Sequence, residues 1–468
     1  MINFGTGGWR EIIGDNFTKT NIYKIASALA QIMQDDTVII GYDRRFMSKE
    51  ASFWFIEALA SNNIKALLID KASPTPIIMY AVKKFNTEYG VAITASHNPA
   101  IYNGIKIFTH GGKDATVEVT SEISAIANQI ELNEIKPFYE IENTDYFKRI
   151  DPFNDYIDSI LNTININEIR NANLKIAIDP MFGVSQTSLT TILATARCEI
   201  DIINNRHDTL FGGRLPSPAS ESLHKLMDLV VHNHYNLGIA TDGDADRIGI
   251  VDELGNFIHP NTLLCLLYYY LLVYKNWKGA VVRNLSTTHM LDRIADKYNQ
   301  KCIETEVGFK HISYNMEKYQ AIIGGESSGG LTVKGHIQGK DGIYAATLLV
   351  EMISITKKSI SQLVSELEKE FGKSCFSENA YKFTQNKKDE LIDILFNKKM
   401  TPKYKNINKI YYLDGLKIIF NDDTWISARF SGTEPVLRIF AESYDNNTVK
   451  KNVKLMEEFL NLTNKEKI

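Results

Sequence analysis

Residues 90–99 of this chain read Gly90-Val91-Ala92-Ile93-Thr94-Ala95-Ser96-His97-Asn98-Pro99. The apolar run at the start is typical of a buried strand, and the polar residues that follow predict a loop at its carboxyl end. Upstream, two further apolar runs at 38–41 and 66–69 alternate with helical patterns. This alternation predicts a parallel α/β domain, in which ligands bind beyond the carboxyl ends of strands. Ser96 is therefore expected where a reactive side chain would meet a substrate.

The composition is that of a globular chain with no preference for polyanions. The chain has 468 residues, of which 44% are hydrophobic and 23% are charged, which suffices for about three or four domains. The formal net charge is −4, and no basic tract resembles those of nucleic-acid binders. We therefore expect no nucleic-acid partner, whereas a small anion held by a few arginines is compatible with this charge.

The sequence also bears on compartment and membrane contact. The four cysteines are scattered without a Cys-x-x-Cys pair, which favours a reducing, cytoplasmic compartment over disulfides or a thiolate zinc site. No secretory signal is apparent at the amino terminus. The most apolar run, Leu263–Tyr274, is too short for a bilayer span of about 20 residues and predicts a buried helix. We therefore expect no membrane partner.

A second polar loop, Thr241-Asp242-Gly243-Asp244-Ala245-Asp246-Arg247, follows the apolar run 237–240. Alternate residues of an extended segment point to the same side, so the three carboxylates are expected to converge. They repel one another unless a cation lies among them, and Mg²⁺ prefers a few carboxylates together with a phosphate oxygen. The loop therefore predicts a magnesium site, and its arginine is suited to bind phosphate.

Three further motifs are suited to bind a phosphorylated sugar. A glycine-rich turn at the amino terminus, Gly5-Thr6-Gly7-Gly8-Trp9-Arg10, permits close approach to a ligand and ends in a bidentate cation. A third loop, Gly324-Gly325-Glu326-Ser327-Ser328-Gly329-Gly330, offers acceptors and donors to vicinal hydroxyls. A fourth, Arg429-Phe430-Ser431-Gly432-Thr433-Glu434-Pro435, combines an arginine, hydroxyls and exposed amides that suit a phosphate, with Arg438 close behind.

The third loop also matches Gly-x-Ser-x-Gly at 325–329, the nucleophile elbow of α/β-hydrolases, so a serine hydrolase is an alternative. The elbow is followed directly by a helix, whereas Leu331–Gly335 predicts a strand. A hydrolase triad also needs an acid and then a histidine well downstream, and His336 follows Ser327 with no acid between them. The context therefore argues against a hydrolase.

Together and in this order, from Gly5 to Arg438, these motifs resemble those of the α-D-phosphohexomutase superfamily. The resemblance implies three related mixed α/β domains and a smaller C-terminal α+β domain around one central cleft. We predict their ranges as 1–140, 141–252, 253–370 and 371–468. The resemblance further implies a phosphorylated serine, and Mg²⁺ held by the serine phosphate and the aspartates, that is by Ser96, Asp242, Asp244 and Asp246.

The resemblance also implies roles for the other motif residues. Arg10 and Arg247 would bind the Ser96 phosphate, and Lys106 together with His97 would transfer protons. Lys106 would need a lowered pKa, which we expect its cationic surroundings to provide. The sugar and the phosphate that is not transferred would be bound by Lys310, Glu326, Ser328, Arg429, Ser431, Gly432, Thr433 and Arg438.

The expected reaction interconverts glucose 1-phosphate and glucose 6-phosphate through a glucose 1,6-bisphosphate intermediate, because Val307–Lys310 resembles the loop of glucose-directed members. The alternatives are a phosphomannomutase or a dual enzyme and, less favoured, a phosphoglucosamine mutase or a phosphopentomutase. A non-catalytic sugar-phosphate-binding protein is the alternative from another class. Many relatives carry a histidine where Gly330 stands, so its role is either absent or moved to His336 or His311. The oligomeric state is left open.

Overall fold

The computed structural model describes residues 1–5, 7–431 and 435–467. The helices and strands of the first domain are β1 (Trp9–Ile12), α1 (Lys19–Ile32), β2 (Thr37–Tyr42), α2 (Ser48–Ser61), β3 (Lys65–Ala72), α3 (Thr75–Phe85), β4 (Tyr89–Ile93), β5 (Tyr102–Thr109), β6 (Lys113–Asp114), α4 (Val117–Gln129), α5 (Phe138–Ile141) and β7 (Phe147–Ile150). The strand order is β1-β5-β4-β2-β3-β7, with β6 paired to β5. The predicted parallel pairing is confirmed for the three predicted strands, β2, β3 and β4. Of the strands that were not predicted, β7 pairs in parallel with β3, and β5 turns back antiparallel to β4 after the Ser96 loop.

The second domain also has a mixed sheet. Its elements are α6 (Phe153–Leu161), α7 (Ile166–Ala172), β8 (Lys175–Asp179), α8 (Gln186–Thr195), β9 (Glu199–Ile202), α9 (His224–His232), β10 (Leu237–Thr241), β11 (Ile248–Val251) and β12 (Phe257–Ile258). The order is β12-β11-β10-β8-β9, in which β8 pairs in parallel with β9 and β10. β11 runs antiparallel to β10, so this sheet repeats the hairpin of the first domain.

The third domain has four strands and five helices. They are α10 (Pro260–Val273), β13 (Val281–Asn284), α11 (Met290–Lys297), β14 (Cys302–Thr305), α12 (Phe309–Lys318), β15 (Ile323–Gly325), β16 (Leu331–Val333), α13 (Gly342–Thr356) and α14 (Ile360–Phe371). The order is β14-β13-β15-β16, with parallel pairing except between β15 and β16. β16 follows the third loop directly, as predicted, so the helix that a hydrolase elbow requires does not follow this loop.

The fourth domain is smaller and antiparallel throughout its sheet. Its elements are β17 (Cys375–Lys382), α15 (Gln385–Ile392), β18 (Ile407–Tyr412), β19 (Leu416–Phe420), β20 (Trp425–Phe430), β21 (Val436–Ser443) and α16 (Asn446–Phe459). The order is β17-β21-β20-β19-β18. The predicted architecture of three mixed α/β domains followed by an α+β domain is therefore confirmed.

The four candidate loops occupy the same position in their sheets. The first lies between β4 and β5, the second between β10 and β11, and the third between β15 and β16, and each of these pairs is antiparallel. The fourth spans the end of β20 and the start of β21. Each of the first three loops therefore presents its polar groups at the end of a strand, whereas residues 432–434 of the fourth loop lie outside the described residues.

A buried helix, α13, packs against α7 and α8 of the second domain and against α10 and β16 of the third. α13 is buried from Gly342 to Ser354, and its amino terminus is capped by Asp341, which accepts from the N–H groups of Ile343 and Tyr344 at 2.9 Å. The predicted buried helix near 263–274 is confirmed as α10 (Pro260–Val273). Within the described ranges, no helix is long and apolar enough to cross a bilayer.

Candidate active site

Ser96 lies where the first and second loops meet. Its backbone adopts the left-handed conformation with φ +53°, which residues other than glycine seldom adopt. From this position its Oγ donates a hydrogen bond of 2.7 Å to Asp242 Oδ2 in the next domain. Both side chains are buried. The serine singled out from the sequence therefore lies against the predicted metal site.

A buried arginine holds the Ser96 loop in this conformation. Arg45 is 3% exposed, and its guanidinium lies 4.8 Å from the ring centroid of Phe211 in the second domain. Its terminal nitrogens donate hydrogen bonds of 2.6 to 3.0 Å to four backbone carbonyls of the loop, those of Ser96, Asn98, Pro99 and Tyr102. The motifs in the sequence did not single out Arg45, because its partners are backbone atoms about 50 residues away.

The three aspartates of the second loop lie close enough to share a cation. One oxygen of each carboxylate lies within 4.8 Å of the others, and all three side chains are fully buried. Burial and repulsion from Asp244 and Asp246 raise the pKa of Asp242 well above its usual value. Asp244 Oδ1 and Asp246 Oδ1 are buried without a hydrogen-bond partner in residues 1–5, 7–431 and 435–467. A bound divalent cation fits these oxygens, because coordination would satisfy them and offset the repulsion.

Two buried lysines partly neutralise the carboxylates. Lys106 Nζ lies 2.6 Å from Asp244 Oδ2 and 2.7 Å from Asp246 Oδ2, and Lys340 Nζ lies 2.9 Å from Asp246 Oδ2. Burial lowers the pKa of Lys106, but the attraction of Asp244 and Asp246 outweighs it, and the pKa lies above its usual value. The expectation that cationic surroundings lower this pKa is therefore wrong for the site formed by protein atoms, because the carboxylates contact the ammonium directly.

Two arginines and a histidine lie beside the same cluster. Arg10 Nη1 donates to Asn98 Oδ1 at 2.8 Å, and Arg247 Nε lies 3.9 Å from Asp246 Oδ1. Burial and the charge of Arg247 lower the pKa of Arg10 to about 10. Burial and the charges of Arg247 and Arg10 lower the pKa of His97 well below its usual value, so its imidazole is neutral at pH 7. The cluster therefore combines fixed positive charge with a neutral imidazole.

The third loop is joined to the second through its backbone. Gly330 forms an isolated antiparallel bridge with Arg247, and the N–H of Ile248 donates to the Gly329 carbonyl at 3.2 Å. A Cβ added to Gly330 would lie 2.4 Å from Lys340 Cδ. His336, one of the two expected replacements for a histidine at 330, is buried in a 2.6 Å hydrogen bond with Asp341 instead, and the other, His311, lies 3.4 Å from Glu306.

The predicted sugar-binding side chains lie around the third loop and α12. Glu326 Oε1 accepts hydrogen bonds of 3.0 Å from Asn284 Nδ2 and from the N–H of Gly308. Ser328 is exposed, and Lys310 lies in the first turn of α12, where burial lowers its pKa. The Glu326 carboxylate is therefore fixed, whereas the Ser328 hydroxyl is accessible.

Two arginines lie on one face of the fourth-domain sheet, one at the start of the fourth loop and one on the strand that follows it. Arg429 and Arg438 are register partners on β20 and β21, and Arg438 Nη1 lies 3.9 Å from Glu378 Oε1 on β17. Arg429 Nε donates to Asp414 Oδ2 at 2.8 Å. Burial raises the pKa of Glu378, and the positive charges of Arg438 and Arg247 act against this rise.

Some of the expected phosphate-binding residues are only partly described. The N–H of Ser431 donates to the Val436 carbonyl at 2.8 Å. Gly432 and Thr433 lie outside the described residues.

Four side chains near the expected site were not predicted from the sequence: Arg45, Thr75, Lys340 and Asp414. Thr75 Oγ1 donates to Asp244 Oδ2 at 2.7 Å from the first turn of α3. The sequence indicated Lys340 only weakly, because this lysine directly precedes Asp341, the residue that caps α13. Arg45 and Thr75 do follow the apolar runs 38–41 and 66–69, but no motif there assigned them a chemical role. Only tertiary contacts connect the four side chains with the site.

The chain matches four family models in one consecutive series. Their descriptions are phosphoglucomutase/phosphomannomutase alpha/beta/alpha domain I, matching residues 1–134, domain II, matching 154–255, domain III, matching 259–371, and the C-terminal domain, matching 383–458. Together they cover most of the chain.

Individual relatives match over nearly the whole length. The chain is 30% identical over 468 residues to a phosphoglucomutase/phosphomannomutase of Thermococcus kodakarensis, covering 98% of this chain and 99% of that one. It is 32% identical over 443 residues to a protein of Pyrococcus furiosus named "Probable phosphoglucosamine mutase", covering 94% and 93%.

A solved structure shares the fold. A phosphoglucomutase/phosphomannomutase family protein of Burkholderia thailandensis superposes with a TM-score of 0.83 at 20% identity, covering 98% of both chains. The four matched domains in their order, with the near full-length relatives, establish that the chain belongs to the phosphoglucomutase/phosphomannomutase family of the α-D-phosphohexomutase superfamily, whose members are intramolecular phosphotransferases of the isomerase class.

Proposed function

We propose that this protein interconverts the 1-phosphate and the 6-phosphate of an α-D-hexose, with glucose as the first substrate to test, and that it does so in the cytoplasm. The observation that carries the proposal is the 2.7 Å contact between Ser96 Oγ and Asp242 within a buried cluster of carboxylates and cations. A hydrolytic serine would need a histidine base, whereas a serine that is phosphorylated at rest needs charge neutralisation and positioning.

In the proposed reaction, phosphorylated Ser96 gives its phosphoryl group to a free hydroxyl of the hexose monophosphate. The bond from phosphorus to Ser96 Oγ breaks, a bond to the sugar oxygen forms, and the hydroxyl proton passes to a base of the site. Glucose 1,6-bisphosphate then turns round within the site, and the opposite phosphoryl group returns to Ser96. Catalysis by such a site is mainly positioning and charge stabilisation.

The residues of the cluster divide these tasks. Arg10 and Arg247 bind the phosphoryl group on Ser96, since guanidinium groups match phosphate oxygens in pairs. His97 and Lys106 are proposed to handle the proton, with the imidazole of His97 as the acceptor because the Lys106 ammonium carries no free lone pair. The ammonium of Lys106 is suited to hold charge beside the transferring group. Lys340 lies in the same carboxylate cluster and adds a second ammonium.

Mg²⁺ is the proposed cofactor, held by Asp242, Asp244, Asp246 and an oxygen of the Ser96 phosphate. When bound, it neutralises charge on the phosphoryl group during transfer. Asp244 Oδ1 and Asp246 Oδ1 are buried and have no hydrogen-bond partner in the part of the chain that the structure describes, which supports this assignment. The hard-oxygen character of the ligand set supports it too.

The other end of the substrate would be bound by the third and fourth loops. Glu326, Ser328 and Lys310 offer a carboxylate, a hydroxyl and an ammonium to the sugar. The phosphate that is not transferred would be held by Arg429, Ser431, Gly432, Thr433 and Arg438.

A phosphoglucosamine mutase is the second candidate, ahead of a phosphomannomutase. The P. furiosus relative bears that name, which raises this activity above the rank that the sequence motifs give it.

A panel assay tests the proposal. Conversion of the 1-phosphates of glucose, mannose, glucosamine and ribose is measured with Mg²⁺ and a trace of the matching bisphosphate. Turnover of a hexose phosphate supports the proposal, and no turnover of any member of the panel would overturn it. Intact mass tests the nucleophile separately: one added phosphate is expected on the wild-type chain and none on Ser96→Ala. Preferential turnover of glucosamine 1-phosphate would favour the second candidate.

A further inference from the structure

Asp414 links two domains through one carboxylate oxygen. It lies in the turn between β18 and β19 of the fourth domain, and its Oδ2 accepts from Arg429 Nε at 2.8 Å. The same Oδ2 accepts from the backbone N–H of Val307 in the third domain at 3.0 Å. One carboxylate thus contacts both the arginine of the fourth loop and the segment that leads into α12.

The contact continues on the third-domain side to the sugar-binding carboxylate. The residue after Val307 is Gly308, whose N–H donates to Glu326 Oε1 at 3.0 Å. Gly308 has φ +128°, a conformation that favours glycine, and it stands at the start of α12, which carries Lys310. A continuous path of hydrogen bonds and one peptide unit therefore runs from Arg429 through Asp414 to Glu326.

The electrostatics on the fourth-domain side explain why a carboxylate is needed there. Arg429 stands opposite Arg438 on neighbouring antiparallel strands, so two like charges share one face. Asp414 offsets this repulsion and engages the Nε edge of Arg429. A guanidinium held at one edge has a defined plane in which to meet a phosphate.

We propose that Asp414 is a positioning residue that makes the sugar-binding carboxylate Glu326 and the phosphate-binding Arg429 act as one unit across the domain boundary. The inference rests on the proposed function, because it assigns these two side chains to opposite parts of one substrate. Loss of Asp414 weakens substrate binding. Phosphoryl transfer at Ser96, which lies in the first domain, changes less.

The interface around Asp414 has other strong contacts, so its variants are expected to fold. Lys417 Nζ donates to Glu304 Oε2 at 2.6 Å and to the Leu285 carbonyl at 2.7 Å. Glu442 accepts from the Thr288 hydroxyl and from the N–H of His289, both in the third domain.

The test compares Asp414→Asn and Asp414→Ala with Asp422→Asn. Asp422 is a matched control, since it lies in the next hairpin turn of the same sheet and its carboxylate bonds only within that turn, to Thr424, among the described residues. For Asp414→Asn we expect KM for the hexose phosphate to rise at least tenfold and kcat to fall less than threefold, with a larger rise in KM for Asp414→Ala. A KM within twofold of the control, or a fall in kcat alone, overturns the proposal.

A double-mutant cycle separates positioning from mere structural support. Glu326→Gln is combined with Asp414→Asn and, separately, with Asp422→Asn. Coupling predicts that Glu326→Gln raises KM by a much smaller factor in the Asp414→Asn background than in the wild type, with no such change in the Asp422→Asn background. Equal factors in all three backgrounds contradict the coupling.

A measurement without turnover keeps this inference separate from the proposed function. The probe is inorganic phosphate, whose affinity is measured by calorimetric titration. Binding that is present in the wild type and lost in Arg429→Ala is assigned to the fourth loop. Asp414→Asn should weaken the affinity of this binding about tenfold. If the wild type converts no hexose phosphate, the proposed function fails, but the phosphate titration still tests the role of Asp414. Phosphate binding by Asp414→Asn that equals that of the wild type would overturn the positioning role.

Discussion

The side chain of Lys340 occupies the space into which a side chain at Gly330 would project, since a Cβ built on this glycine would lie 2.4 Å from Lys340 Cδ. Lys340 then reaches Asp246 with its ammonium at 2.9 Å. The space beside Gly330 is thus filled by a lysine from the segment that leads into α13.

Gly330→Ala should push Lys340 away from Asp246. Because the obstructing atom belongs to a flexible side chain, we expect a small loss of stability, about 1 kcal/mol, and a larger effect on turnover, about tenfold. Calorimetric unfolding and the mutase assay measure the two effects. Lys334→Ala, at an exposed lysine in the same domain, is the control. Wild-type turnover in both Gly330→Ala and Lys340→Ala would show that Lys340 has no part in the site.

Removal of divalent cations should lower both activity and stability. Binding to the folded state alone stabilises a protein by about 2.7 kcal/mol when the ligand is at 100 times its dissociation constant. We therefore expect Mg²⁺ to raise the melting temperature of the chelator-treated wild type and to have little effect on Asp244→Asn. Asp15→Asn, at an exposed aspartate, should respond like the wild type. An equal response in Asp244→Asn would argue against the aspartate site.

Arg45→Lys should slow the reaction without removing the nucleophile. A lysine cannot contact four carbonyls with one planar group, so the left-handed backbone at Ser96 loses support. We expect kcat to fall at least tenfold with KM nearly unchanged. Arg44→Lys is the matched control, because Arg44 donates only one bond of 3.3 Å, to the Asn205 carbonyl, among the described residues. Similar kinetics for the two variants would contradict this role of Arg45.

Stability should fall in acid through Glu304 at the boundary of the third and fourth domains. Burial raises the pKa of Glu304, but Lys417 and Arg283 outweigh it and hold the pKa well below its usual value. A carboxyl with a lowered pKa stabilises the fold above its unfolded pKa, about 4.3, and loses that contribution as the pH falls below it. The wild type should therefore exceed Glu304→Gln in stability by about 3 kcal/mol at pH 6, and the difference should narrow below pH 4.3.

Melting temperatures between pH 3 and pH 7 measure this difference. Glu199→Gln is the control, because Glu199 forms an exposed pair with Lys175, and such pairs contribute little. A gap between the wild type and Glu304→Gln that stays constant down to pH 3 would contradict the assignment to Glu304.

The local pattern of the chain was enough to predict the loops. Apolar runs mark β4, β10, β15 and β20, and the polar residues after each run give the place and the chemistry of Ser96, Asp242 and Glu326. These features are local, because a short apolar run followed by glycine and polar residues determines a strand end. The hairpin return of β5 was missed, since strand direction depends on which partner the sheet offers.

The sequence by itself determined the serine loop and the aspartate loop at strand ends, because these are properties of neighbouring residues. The resemblance that the motifs carry together implied the four domains. Only the tertiary structure decided that Arg45 donates hydrogen bonds to the Ser96 loop and that Lys340 fills the space beside Gly330. It also decided that Asp414 accepts hydrogen bonds from both Arg429 and Val307. The contacts of Arg45 with the Ser96 loop and of Asp414 with Val307 join residues that are far apart in the chain. Lys340 and Gly330 are only ten residues apart, but their contact forms only when the chain turns back before α13. Likewise, the pKa of Lys106 follows from contact with carboxylates about 140 residues away, which no local pattern encodes.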